Sequence, residues 1–328
     1  MTTDVGRPSL HAVAHEGAPA EASLRPGEPL GRGLRRLAVT HLDHAIRSLV
    51  APSDRDLGVH EARKSLKRVR ALLRLVRDRV GRWTYRQENV VLRDAARAVA
   101  PVRDGAVLVV TLDRLIDRYG GVIARGVWDD ERAELEARRR AAVDAVFGDE
   151  RRIGHVVGSL RLARNRLSGW PVDGDPDAPL TVPDDMSVIA PGIARVYRRG
   201  REAMFSAAER REEARLHLWR KRVKYLRHQY EALEPIWPAM LGAMASEAGR
   251  LGDLLGDEHD LAVLTGFAGE ERTPARRLLE AVATRERRDL QDAALAIGTR
   301  LYVEPADAHI ERLAAYWASR RDAPASGE

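Results

Sequence analysis

The sequence predicts an all-α protein, and three observations carry that prediction. Of 328 residues, 32% are charged and only 5% are aromatic, a profile of amphipathic helices rather than of strands, which draw on aromatic and β-branched residues. From Leu30 onward apolar residues recur at helical spacing, beginning with Leu34, Leu37, Ala38, Leu42, Ala45, Ile46 and Leu49. No convincing run of strict apolar–polar alternation interrupts that pattern.

Residues 1–29 are rich in Pro, Gly and Ala and carry Asp4, Glu16, Glu21 and Glu28. They read as a disordered tail without the apolar stretch of a signal peptide. Helices are then predicted over about 30–51, 55–81, 83–101, 105–119, 129–147 and 150–168. The stretch 169–185, GWPVDGDPDAPLTVPDD, stacks Pro, Gly and Asp as no helix tolerates and reads as a linker. A second set of helices follows over about 186–210, 211–234, 236–256, 258–269, 274–299 and 305–321, with 322–328 as a C-terminal tail. Ala51-Pro52-Ser53, Gly81, Gly120-Gly121 and Pro235 supply the expected stops. No segment approaches the roughly 20 apolar residues of a membrane span.

The absence of cysteine removes disulfides, thiol nucleophiles and thiolate metal sites, and fits a reducing cytoplasm. A net charge of +6 makes a polyanion a reasonable partner class. Acidic and basic residues nearly balance, however, so an anion site has to come from local clustering.

That clustering is duplicated. The segment His60-Glu61-Ala62-Arg63-Lys64-Ser65-Leu66-Lys67-Arg68-Val69-Arg70 matches His217-Leu218-Trp219-Arg220-Lys221-Arg222-Val223-Lys224-Tyr225-Leu226-Arg227, with His, Arg, Lys, Lys and Arg at the same offsets. Downstream, the stretch from Arg97 to Arg103-Asp104 resembles Arg250 to Asp257, and each leads into an apolar run. Of 55 Lys and Arg residues only four are lysine, and all four, Lys64, Lys67, Lys221 and Lys224, lie in the two motifs. Decoration of a solvated helix surface would scatter them.

At about 100° per residue, His60, Arg63, Lys64, Lys67, Arg70 and Arg74 share one arc of roughly 120°, opposite Leu66, Val69, Leu72, Leu73 and Val76. His217, Arg220, Lys221, Lys224, Arg227 and His228 form the same stripe in the second copy, opposite Trp219, Val223, Leu226, Tyr230 and Leu233. Like charges at i,i+4 oppose helix formation by a few tenths of a kcal/mol per pair. Glu61, Asp78 and Glu231 look too few and poorly placed to offset that, so carboxylates of neighbouring helices or a bound anion are expected to do so. Asp94, Asp104, Asp253, Asp257 and Asp260 are the available carboxylates, and N-capping or ion pairing is their expected role.

Arg offers a planar bidentate fork and Lys a compact charge with three donors, a mixture suited to the oxygens of a linear polyphosphate. Single-stranded nucleic acid sites carry stacking rings, whereas the first stripe holds no aromatic residue and the second only Tyr225 nearby. Nucleic acid is therefore not the expected partner. His41 with His44, or His259 with Asp257 and Asp260, are the only arrangements resembling a metal site, and the basic stripes would repel a cation. No metal, cofactor or membrane partner is expected. No nucleophile, P-loop or paired-carboxylate signature calls for catalysis. The competing readings are a phosphohydrolase with Asp-bound Mg²⁺ and a nucleic-acid-binding protein.

The segments HEARKSLKRVRALLRL at 60–75, HLWRKRVKYLRHQYE at 217–231 and LGDLLGDEHDLAVL at 251–264 resemble the CHAD family, the conserved histidine α-helical domain, over about 30–321. The resemblance implies two four-helix-bundle-like antiparallel halves, about 30–168 and 186–321, related by pseudo-twofold symmetry around a basic central cavity or pore. It also implies binding of inorganic polyphosphate and association with polyphosphate granules. Carried onto this chain, the contacting groups are His60, Arg63, Lys64, Lys67 and Arg70, and His217, Arg220, Lys221, Lys224 and Arg227. Many relatives carry a triphosphate-tunnel domain with an ExExK signature. None occurs here, so the phosphatase or cyclase activity of such a domain does not carry over. Gly105-Ala106-Val107 lacks a counterpart to Asp260, a departure that tells against a symmetric role for the acidic residues.

Overall fold

The computed structural model describes residues 22–170, 183–267 and 273–322. Among them the chain is all-helical, with no strand. Twelve helices run in the order α1 (Leu30–Val50), α2 (Arg55–Leu75), α3 (Arg77–Val80), α4 (Arg82–Ala98), α5 (Ala100–Tyr119), α6 (Asp129–Phe147), α7 (Glu150–Ser168), α8 (Ala190–Glu209), α9 (Glu213–Leu233), α10 (Pro238–Phe267), α11 (Pro274–Leu301) and α12 (Ala306–Asp322). The first motif forms α2 and the second α9.

Local chemistry explains the ends. The Asp54 carboxylate caps α2 by accepting from the Leu57 amide at 2.9 Å, with Asp56 in the first turn and Arg74 in the last, each favourable toward the helix dipole. Pro101 sits in the first turn of α5, where its missing N–H costs nothing, and it separates α4 from α5. The break between these helices is therefore Val99, not the 101–105 gap expected.

Two further boundaries differ from expectation. The helix expected over 55–81 stops at Leu75. Val76 (φ −92°, ψ 8°) leaves the helical region, one turn forms α3, and Gly81 takes a positive φ of 81°, the backbone state that favours glycine. The two helices expected over 236–256 and 258–269 are one helix, α10. Gly249 and Gly252 within it are packing positions against α9. A Cβ on Gly249 would stand 3.3 Å from the Arg227 guanidinium carbon, and one on Gly252 would stand 3.6 Å from Val223.

Residues 22–29 are packed, in contrast to the disordered tail expected over 1–29. Leu24 is buried, its amide donates to the Ala232 carbonyl at 2.9 Å, and Glu28 pairs with Arg36 at 2.6 Å. Residues 1–21, most of the expected linker (171–182) and 323–328 lie outside the described residues. From the linker's end, Asp184 accepts from the Leu30 amide at 3.1 Å.

One hydrophobic core runs through both sets of helices. It joins Leu66, Val69 and Leu73 of α2 to Val223, Leu226 and Tyr230 of α9, so the apolar faces predicted opposite the basic stripes are the buried faces. α2 packs directly on α9, α1 on α2, α8 on α9, and α9 on α10. A second, smaller core gathers Leu108, Leu112 and Leu115 of α5, Leu135 of α6, Leu261 and Leu264 of α10, and Leu279 of α11. With their apolar faces turned inward, α2 and α9 leave their polar faces to a space bounded by α5 and α10.

Candidate anion-binding site

That space is a cavity of about 360 Å³. Helix α2 contributes His60, Arg63, Lys64, Lys67 and Arg68, and α9 contributes His217, Arg220, Lys224, Arg227 and His228. Opposite them stand Arg103, Asp104, Val107 and Leu108 of α5 and Asp253, His259, Asp260 and Val263 of α10. Eight lysine and arginine side chains face three aspartates, so the lining is net positive.

Nine of the twelve residues predicted from the stripes meet in this lining. Lys221 is exposed on α9 and does not line it. Arg70 and Arg74 are also absent from the lining. Arg70 Nε donates to the Asn89 amide oxygen at 3.0 Å. Arg74 lies over the Tyr225 ring, 3.8 Å from its centroid. Sequence reasoning missed three lining residues, Arg68, Arg103 and His259. Arg68 falls about 40° outside the stripe on a helical wheel. Arg103 lies in the downstream repeat beside Asp104, and His259 lies between Asp257 and Asp260 in the sequence, both outside the two stripes.

Confinement and mutual repulsion set the electrostatics. Lys67 and Lys224 line the cavity and are half-buried. Burial, then Arg220, Arg63 and Arg103, pull the Lys67 ammonium down from 10.5 to about 7, against a small opposing pull from Asp104. Burial, Arg220 and Lys67 likewise press Lys224 well below the usual lysine range, with Asp253 and Asp260 opposing. Burial also leads the depression of His60, to about 3, aided by Arg103 and Lys67. His217 and His259, rings 4.4 Å apart, both fall to about 4, chiefly through burial and then through each other or Arg220. Arg63 and Arg103 shift down for the same leading reason. A group whose protonated form is disfavoured in this way gains from any anion brought within reach.

Two carboxylates that looked poorly placed in the sequence support the wall from behind. Glu61, 8% exposed, stands 3.6 Å from the Lys64 ammonium and 3.9 Å from His60 Nε2. Glu231 accepts from Arg227 Nε at 2.7 Å, meets His228 Nδ1 at 2.9 Å and faces Arg68 Nε at 3.6 Å. Of the expected acidic set, Asp104, Asp253 and Asp260 line the cavity, with burial raising the Asp260 carboxyl. Asp104 is largely exposed and sits 4.0 Å from Arg63. Asp257 is buried in α10, and Asp94 instead pairs with Arg93 on the surface at 2.8 Å.

His41 is buried, while His44 bonds Ser65 through Nδ1 at 3.0 Å. Among the described residues, no group of three or more His, Cys, Asp or Glu gathers as metal ligands would. No helix there is long and apolar enough to cross a membrane.

A search of curated proteins found no match. The solved structure of PptA from Streptomyces chartreusis shares the fold, with a TM-score of 0.57 at 15% sequence identity, covering 84% of this chain and 100% of that one. The family model for the CHAD domain matches residues 34–269. The two motifs, the helices that carry them and the family match agree, and the chain belongs to the CHAD family.

Proposed function

We propose that this protein binds inorganic polyphosphate in the cavity between α2, α5, α9 and α10 and carries out no reaction on it. One observation carries this reading. His60 and His217, Arg63 and Arg220, and Lys67 and Lys224, the matched residues of the two motifs, line one cavity together. A linear polymer with about one charge per unit and no base to read suits such a lining, and its binding would release counterions as nucleic acid binding does. Arg68, Arg103 and His259 join the predicted contacts, while Lys221, Arg70 and Arg74 are assigned none in the cavity.

The halves 30–168 and 186–321 are proposed to be duplicate bundles related by a pseudo-twofold axis. Recurring packing supports this: α1 on α2 and α7 parallels α8 on α9 and α12, and α5 on α6 parallels α10 on α11. In the cell, the proposal places the protein in the cytoplasm on polyphosphate granules.

Incubation with long-chain polyphosphate, with and without Mg²⁺, tests the reading. Retention without release of phosphate is expected. Phosphate release dependent on Mg²⁺ would replace it with a phosphohydrolase using Asp253 and Asp260. Preference for single- or double-stranded DNA at matched salt would replace it with nucleic acid binding.

A further inference from the structure

Glu231 is absent from the cavity lining yet touches three residues that belong to it. It lies in the last turn of α9, and its carboxylate is largely buried. Burial alone would raise its pKa, but His228, Arg227 and Arg68 together hold it below the usual carboxylate range, so it is ionised and can only accept hydrogen bonds. At 2.9 Å, His228 must therefore donate from Nδ1. A neutral imidazole has one proton, which leaves Nε2 a bare lone pair that repels an anion. The groups facing His228 are Glu231 and Arg227 on its own helix, Arg68 on α2 and His41 on α1. Arg68, 7% exposed, meets this same carboxylate from across the helix pair.

We propose that Glu231 is a positioning residue. From behind the wall it anchors Arg68 and Arg227 toward the cavity and fixes the His228 proton on Nδ1, so that this end of the cavity takes an anion only together with a proton on Nε2. The proposal rests on the anion-binding reading above and adds to it a coupling between ligand and proton. It also assigns the coupling to one end of the cavity. In the motif register that aligns His60 with His217, His228 falls on Ala71 and Glu231 on Arg74, so the other half lacks the pair.

The test uses tripolyphosphate and the full chain. Calorimetric titrations in buffers of different ionisation heat count the protons taken up on binding, for wild type, Glu231→Gln, His228→Gln and the double variant. Glu231→Gln is expected to weaken binding by on the order of tenfold or more and to remove the uptake assigned to His228. The double variant is expected to lose little beyond the worse single one, because the pair acts as a unit. Tighter binding by Glu231→Gln would mark Glu231 as a competing anion, and additive losses would mark the two residues as independent; either overturns the proposal. A ligand-free measurement covers a variant that fails to fold. Nitrogen chemical shifts of His228 in the wild type are expected to report the Nδ1–H tautomer, and the Nε2–H tautomer would overturn the proposal. Wild type that binds no polyphosphate at all would instead sink the functional reading, while the tautomer measurement would still decide the Glu231 contact.

Discussion

Arg74 lies with its guanidinium carbon 3.8 Å from the centre of the Tyr225 ring, and this pair is the register counterpart of Glu231 and Arg68, which meet at 3.6 Å. In the alignment of His60 with His217, Arg68 falls on Tyr225 and Arg74 on Glu231. A contact between one residue and the mate of another, matched by its reciprocal, is the pattern of a twofold interface. The chemistry of the two ends differs: one is an ion pair behind the cavity wall, the other a cation–π stack outside it.

Because Arg74 is spent on Tyr225 and on the Arg70 carbonyl, which accepts from Arg74 Nη1 at 2.5 Å, Arg74→Ala should act on stability more than on binding. A loss of about 1 kcal/mol is expected from the stack, read by thermal or urea unfolding. Tripolyphosphate affinity should change by less than about threefold, since the lost charge lies off the cavity and is screened. An effect on affinity as large as that of a cavity lysine would place Arg74 in the site.

The cavity gathers cations against their own repulsion. Replacing Lys67 with methionine should therefore stabilise the ligand-free protein, by about 1–2 kcal/mol, while weakening polyphosphate binding. Unfolding in the absence and presence of the ligand separates the two effects. A ligand-free protein destabilised by Lys67→Met would mean that its ammonium is satisfied within the fold.

Lys67 titrates at about 7 in the fold against 10.5 for the free side chain, so between these values the unfolded chain binds more protons and stability rises with pH. Ligand-free melting temperature should climb from about neutral toward pH 10. It should fall again below about pH 6.5, where unfolded histidines take up protons that His60, His217, His228 and His259 refuse. A bound polyanion raises these depressed values, so binding takes up protons and affinity should increase as pH falls from 8 to 6. A flat affinity over that range would contradict the direct involvement of these groups.

Gly192, in the first turn of α8, tests the placement of α2. A Cβ there would press on the Arg74 and Leu75 carbonyl oxygens and stand 2.7 Å from Leu75 Cα, all backbone atoms that cannot swing aside. Gly192→Ala should cost about 1–3 kcal/mol, measured by urea unfolding. A neutral outcome would mean that α8 and α2 do not approach so closely.

The periodicity of α1, α2 and α9 was legible because the buried face of each is predominantly apolar. Leu66 and Val223 are fully buried where the wheel placed them. Length was harder to read in α10, where the break expected between 256 and 258 lies inside one continuous helix. The duplicated lysines announced the site, but Lys64 lines the cavity and its mate Lys221 is exposed outside it. Arg68, off the stripe by angle, reaches the cavity because Glu231 of another helix holds it. Such cross-helix carboxylates leave no periodic mark.

The most direct test pairs Lys67→Glu with Lys224→Glu in one protein and sets it against Arg152→Glu, a change of the same sign at an exposed residue of α7. Retention of long-chain polyphosphate at physiological salt is the quantity to measure, with helicity recorded alongside. The double cavity variant is expected to lose retention while staying helical, and Arg152→Glu to keep it. Equal losses from both would show that general charge alone attracts the polymer, and the cavity would no longer be its seat.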